Sequence, residues 1–352
     1  MSEKLSKFAP VLDALQDYDH PFPPRLLRDF SDLTPNNLHD LKAVWPEIKT
    51  ERKVALLEDL ENVAESDTLV SFDELAKMAV KDTDPAVRVL SIRLLWECEE
   101  ARLIPIFTEL MLADDSQDVR AAAASALGKF VLLGELEAIS DTLRIANVQN
   151  LIDVVKGEDL PQVRRRALES LGYSSHPKVP ELIEYALSQP DIQWLTSALY
   201  AMGRSADDRW AERVISHLDS SDGEILFEAV RAAGELELED ARDILIEKLD
   251  ETLDDQELRF AIIWSLSQIG GESVKKKLEE LLEKTSEDDE AEWIEKALDN
   301  LELGGQMDGM EMMEFDSPDH SAGEDDNDDD DEEEEEDDAD FLGIDEDEEY
   351  EN

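Results

Sequence analysis

Through most of this chain, apolar residues return every three or four positions, the spacing that places them on one face of an α-helix. The stretch DVRAAAASALG, residues 118–128, shows the form: Val119, Ala123 and Leu127 make one stripe, each four residues from the next. The same form returns as DPAVRVLSIRLLW at 84–96, QVRRRALESLG at 162–172 and QWLTSALYAMG at 193–203. It returns again as EILFEAVRAAG at 224–234 and ELRFAIIWSLS at 257–267. The closing positions, Trp96, Gly128, Gly172, Gly203, Gly234 and Ser267, stand 32, 44, 31, 31 and 33 residues apart. An internal repeat of this length is the mark of a stacked array.

Each of these segments follows another amphipathic one: FDELAKMAV, IPIFTELML, VPELIEYAL, WAERVISHL, ARDILIEKL and VKKKLEELLEK. A hairpin of two such helices cannot bury both apolar faces alone, so neighbouring hairpins must stack. An Asp or Glu ahead of the second helix offers an acceptor to its free N–H groups and suits the positive end of the helix dipole. The closing glycines suit a left-handed helix end, and the small residues permit close approach between helices. The prediction is an all-α protein, a right-handed superhelical solenoid of about seven to eight antiparallel helix pairs.

The signature DxxVRxxAxxALG, clearest at Asp115–Gly128 and Leu160–Gly172, resembles that of the HEAT-repeat superfamily, especially the short bacterial HEAT-like repeats of the phycobilisome-lyase type. The resemblance runs from about Leu33 to Leu301 and weakens where Leu195 and Leu226 replace the arginine. It implies the solenoid fold. For function it implies only a range, from scaffolds and adaptors through lyases to a few metalloenzymes, because one fold hosts many activities.

Two places depart from the repeat. The interval of 44 leaves roughly a dozen extra residues between Gly128 and Gly172, and insertions in solenoids often serve binding. This segment is itself amphipathic, which favours a longer first helix, or one broken near Asn147. Ahead of the array, LSKFAPVLDAL forms a short helix and DHPFPPR an irregular link, because three prolines crowd it. The expected organisation is an N-terminal helical cap and Pro-rich link at 1–32, the solenoid at 33–303 and a disordered acidic tail at 304–352.

Charge now matters. The chain has 33 Lys and Arg against 91 Asp and Glu, a net charge of −58. Residues 304–352 hold 26 acidic residues and no Lys or Arg, so residues 1–303 carry 33 basic against 65 acidic, a net of −32. Such a field repels phosphate, which argues against direct nucleic-acid or anionic-membrane binding, and attracts basic proteins. The start, MSEKLSKFAPVL, lacks the apolar run of a signal peptide, and no stretch reaches membrane-spanning length, so a cytoplasmic monomer is expected.

Candidate chemistry is sparse. Arg88, Arg120, Arg164 and Arg259 recur at one register position, where pairing with acidic residues of neighbouring turns outweighs a ladder of anion binders. Of the basic triplets, Lys275–Lys277 reads as a solvated face, whereas Arg164, Arg165 and Arg166 are candidates for a partner. Trp210 opens a helix and could line a groove. The five histidines, His20, His39, His176, His217 and His320, include none followed by Glu and no i, i+4 pair. The metal hydroxylases of similar fold use repeated His-Glu pairs, so no metal, cofactor or catalytic cluster is expected. Cys98, the single cysteine, reads as a buried inert thiol. In the tail, Phe341, Leu342 and Ile344 form an apolar island suited to docking on binding. The leading expectation is a non-enzymatic scaffold binding a protein partner on its concave face. An enzyme or lyase accessory subunit, and an acidic chaperone or nucleic-acid mimic for a basic protein, are the alternatives.

Overall fold

The computed structural model describes residues 8–252 and 255–314, with 304–314 described by backbone alone. The chain divides into two units, Met1–Met307 and Asp308–Asn352, and all the described side chains lie in the first. Among the described residues every regular element is a helix. In chain order these are α1 (Ala9–Gln16), α2 (Pro35–Val44), α3 (Thr50–Ser66), α4 (Asp73–Ala79), α5 (Pro85–Leu94) and α6 (Leu103–Ala113). There follow α7 (Gln117–Glu135), α8 (Asp141–Lys156), α9 (Pro161–Leu171), α10 (Val179–Leu187), α11 (Ile192–Gly203) and α12 (Ala211–Ile215). The last are α13 (Gly223–Glu235), α14 (Arg242–Glu251), α15 (Gln256–Ile269), α16 (Glu272–Lys284) and α17 (Asp288–Glu314). The last helix therefore continues past Leu303, the end expected for the array.

The helices pair in sequence. Each even-numbered helix from α4 to α14 packs on the odd-numbered helix that follows it. The odd-numbered helices also pack side by side, α3 on α5 and so on to α15, forming one layer. α17 extends this layer, donating from Trp293 Nε1 to the Phe260 carbonyl at 3.0 Å. The stripe read from the sequence is the core: Val119, Ala123 and Leu127 are fully buried. Helix starts follow the expected chemistry where an aspartate stands at the cap. Asp84, Asp191, Asp222 and Asp255 each accept a backbone N–H of the helix they precede.

At the N-terminus, the α1 residues Val11 and Leu15 are buried, as are Phe22, Leu27 and Phe30 of the link. The Pro-rich link holds a 3-10 turn at Pro24–Phe30, and Arg28 pairs with Asp67 beyond α3 at 2.7 Å. Arg52 of α3 donates to the carbonyls of Asp17 and His20.

The closing glycines act differently from the expectation. None has a positive φ, and Gly128 lies inside α7 rather than at its end. Their role is proximity between neighbouring odd helices. A methyl on Gly172 would lie 2.9 Å from the Ala201 carbonyl oxygen, on Gly203 2.8 Å from Ala232 Cα, and on Gly234 2.6 Å from Ser265 Cα. The left-handed ends fall instead on Glu137 (φ 57°) and Glu237 (φ 50°), after α7 and α13. There the N–H of the next residue reaches back five positions, Ala138 to Leu133 and Leu238 to Ala233, as in a Schellman end.

The 44-residue interval is taken up by helix. α7 runs seven residues past Gly128, and α8 is unbroken through Asn147. Asn147 is fully buried and donates to the Leu127 carbonyl at 3.2 Å, which fixes α8 on α7 rather than breaking it.

The arginine positions tie repeat to repeat. Arg88 donates to the Asp82 carbonyl behind its own α4 and pairs with Asp114 of the next repeat at 2.7 Å. Arg120 does the same with the Asp114 carbonyl and both oxygens of Asp159. Arg259 uses the Leu249 carbonyl and Glu290. Each guanidinium thus satisfies the carbonyls left open where the preceding helix ends, then reaches a carboxylate one repeat on. Lys53 of α3 is a further rung, paired with Asp82 at 2.7 Å, with both side chains almost fully buried.

Candidate functional site

Because the chain repeats, its positions can be compared with one another. From the repeat that closes at Gly128 onward, seven residues before the closing position stand Ala121, Arg165, Thr196, Phe227 and Phe260. Three before it stand Ser125, Glu169, Tyr200, Arg231 and Trp264, and one after it Lys129, Tyr173, Arg204, Glu235 and Gln268. Residues four apart share a helix face. All of these side chains line a run of four adjoining hollows along the odd-helix layer, with volumes of about 910, 930, 690 and 340 Å³. Together the hollows form a groove.

Its middle is a network of charge. Glu169 is buried and accepts from Ser197 Oγ at 2.6 Å and from Arg166 at 2.6 Å. The Arg204 guanidinium lies 4.2 Å from the centre of the Tyr200 ring and 4.8 Å from that of Tyr173. Arg231 pairs with Glu228 at 3.7 Å and Glu235 at 3.4 Å. Three atoms here are buried without a hydrogen-bond partner among the described residues: Glu228 Oε2, Arg165 Nε and Arg204 Nε. Burial, together with the nearby Glu169 and Glu235, pushes the Glu228 carboxyl above its ordinary range against the pull of Arg231. Burial also lifts the Tyr200 phenol to about 12 and lowers the Arg204 and Arg165 guanidinium groups.

The two ends are aromatic. At the α13–α17 end, Phe260 stacks on Trp293 at 5.6 Å and Trp264 tilts against it at 5.9 Å. Trp264 remains 38% exposed, and Trp96 at the other end 60%. Donors, acceptors and exposed rings spread along a groove are the parts of a recognition surface.

The arginine triplet divides as three consecutive helix residues must. Arg164 turns to the end of α8, donating to the Val155 carbonyl at 2.9 Å and to Tyr185 Oη at 2.9 Å. Only Arg165 and Arg166 face the groove. Trp210 does not line it. The ring is 3% exposed, because it opens α12 on the core side. Phe341, Leu342 and Ile344 lie outside the described residues. Lys275, Lys276 and Lys277 each find a carboxylate, Glu302, Glu280 and Asp250. Cys98 is buried, and burial raises its thiol. Its sulfur lies with Asp73 and Glu100 ligand atoms inside 4.8 Å. The Lys77 ammonium balances that cluster, 2.6 Å from Glu100 and 3.4 Å from Asp73.

Sequence reasoning missed Glu169, Tyr200, Glu228 and Arg231. The signal was present in the register. The closing position is Gly in four consecutive repeats, whereas the column three residues before it runs Ser, Glu, Tyr, Arg, Trp.

The model of the family described as HEAT repeats matches residues 72–146 and 211–299. Both stretches are HEAT repeats. They take in α4 to the first part of α8, and α12 to the first part of α17. Comparison of the chain's sequence with curated proteins finds no match. Among solved structures, it is similar to the complex of CpcE and CpcF of phycocyanin lyase from Nostoc sp. PCC7120, with 20% identity, a TM-score of 0.44, 65% of this chain and 94% of that chain. It is also similar to an engineered protein (17% identity, TM-score 0.38, 83% of this chain and 88% of that chain). Human deoxyhypusine hydroxylase is a third, with 15% identity, a TM-score of 0.33, 84% of this chain and 96% of that chain. Among the described residues, no helix is long and apolar enough to cross a membrane.

Proposed function

We propose that this helical repeat scaffold is a non-enzymatic interaction protein that holds an extended segment of a protein partner along its odd-helix groove. One observation carries this reading. Positions that build the array repeat from unit to unit, while the groove column changes chemistry at every step, from Ser125 through Glu169, Tyr200 and Arg231 to Trp264. A surface with only a structural duty would repeat as the core does; one that reads a particular partner need not. In the same reading residues 1–32 cap the first repeat, and the tail at 304–352, with its 26 acidic residues, steers basic partners toward the molecule.

A photo-crosslinker placed at Thr196 in the groove, and at Ile145 on the exposed side of α8, tests the reading in native cells. A common partner captured from Thr196 and not from Ile145 is expected. Equal capture from both positions overturns the groove as the binding face. Removing residues 304–352 slows association at low salt and loses its effect at high salt if the tail steers.

A further inference from the structure

The α13–α17 end of the groove combines two features that point to one kind of guest. The first is an aromatic wall. Phe227, Phe260, Trp264 and Trp293 line the hollow of about 340 Å³, and Trp264 keeps more than a third of its surface in water on a helix whose other face is core. The second is a surplus of carboxylates. Across the four hollows eleven carboxylates face six basic groups. The basic groups nearest this end are already engaged: Arg231 with Glu228 and Glu235, Arg204 with Glu235, and Lys296, 5.9 Å from the centre of the Trp293 ring, with Glu292. Glu257 is exposed at the rim of the same hollow and makes no ion pair among the described residues.

Aromatic faces carry negative electrostatic potential, so a ring wall beside an unpaired carboxylate favours a cation over an acidic or purely apolar side chain. Glu228 adds to this preference. Its Oε2 is buried without a hydrogen bond where the neighbouring hollow adjoins across Phe227 and Arg231, leaving an acceptor open until a donor arrives.

We infer that this end of the groove is a subsite for an arginine or lysine side chain of the bound segment, its cationic head over Trp264 and Trp293 and paired with Glu257. The inference rests on the groove reading and specifies the partner as a basic segment. General attraction to an acidic protein would be spread over its surface. A subsite concentrates it at one ring and one carboxylate.

The test is a random twelve-residue peptide library displayed on phage and selected on the full chain at 0.15 M NaCl. Selected peptides are synthesised, along with versions carrying citrulline for arginine and norleucine for lysine, which keep length and lose charge. Binding is measured on the wild type, on Trp264→Ala and Glu257→Gln, and on Glu184→Gln, which removes one exposed charge from α10. Peptides with Arg or Lys beside apolar residues are expected, weakened about tenfold by Trp264→Ala or by loss of the cation. Glu257→Gln is expected to weaken them about threefold and Glu184→Gln not at all. Because Glu257 is exposed, its variant keeps the test valid if Trp264→Ala perturbs folding. Peptides that protect α11 and α13 from hydrogen exchange but bind equally without their cation, or equally to Glu257→Gln and wild type, overturn the subsite and leave the groove. If no selected peptide protects the odd helices, groove and subsite fall together.

Discussion

Two buried carboxylates of this molecule answer to pH in opposite directions. Asp82 is burdened by burial, yet the Asp84 N–H, the Lys53 ammonium and the Trp45 indole N–H hold its carboxyl below the ordinary range. Its contribution to stability is present above the unfolded-state value, near pH 4, and is lost as pH falls through the lower folded value. Lys53→Met leaves that carboxylate buried without its cation and is expected to cost about 3–5 kcal/mol at pH 7, read as a shift in the urea midpoint. The loss should shrink as pH falls below about 4, where the unfolded-state Asp82 takes up its proton. Glu228 is the reverse case, its carboxyl raised by burial and by two neighbouring carboxylates. The folded state holds this proton more tightly, so the group favours folding least once pH rises above the folded value. Glu228→Gln, which removes the charge and keeps the shape, is expected to stabilise the protein at pH 7 on the order of 1 kcal/mol, because burying a charge costs more than burying an amide. No gain in melting temperature at pH 7 would contradict that assignment. A groove residue that costs stability is one whose presence the fold itself does not explain.

At the scale of a helix, the same residue type reverses its usual effect according to its neighbours. Gly→Ala in a helix interior ordinarily stabilises by about 1 kcal/mol. At Gly234 the added methyl meets Ser265 Cα at 2.6 Å, backbone that can yield only by separating α13 from α15. Gly234→Ala is therefore expected to destabilise by about 1–3 kcal/mol, measured by denaturant unfolding. Glu237 is the converse position, a non-glycine held at φ 50° beyond α13. Glu237→Gly relieves the left-handed strain and is expected to gain about 1 kcal/mol. The existence of these helices was legible because each stripe has a helical period. The glycine role was not, because a glycine at the end of an apolar stripe looks the same in sequence whether it reverses the chain or admits a neighbour. α7 running on to Glu135 decides between them at Gly128. Of the two readings of the insertion, the break near Asn147 fails for a related reason. A polar residue within a predicted helix reads as a break until a carbonyl, here that of Leu127, is seen to take its N–H.

For the whole molecule, the order of the repeats was legible and the groove was not, since a hollow is made by side chains some thirty residues apart in sequence. Tyr200 and Arg231 meet only because α11 and α13 lie side by side, at 5.4 Å from guanidinium to ring centre. The charge balance, in contrast, can be counted from the sequence, and it makes two competing claims about salt. Residues 1–303 carry a net charge of −32, and like charges over a folded surface oppose compaction. Salt screens that repulsion, with a Debye length that falls from about 10 Å at 0.1 M to about 3 Å at 1 M. The rungs that tie the repeats, Lys53 to Asp82, Arg88 to Asp114 and Arg259 to Glu290, are mostly buried, and salt weakens such pairs much less. Screening should therefore relieve more repulsion than it removes attraction. The melting temperature at pH 7 is expected to rise between 0.05 and 1 M NaCl, and to rise alike with KCl because no particular cation is required. A fall would mean that the ladder is more exposed to solvent than its geometry implies. The same salt should weaken any basic segment held in the groove, so stability and partner affinity would move in opposite directions along one titration.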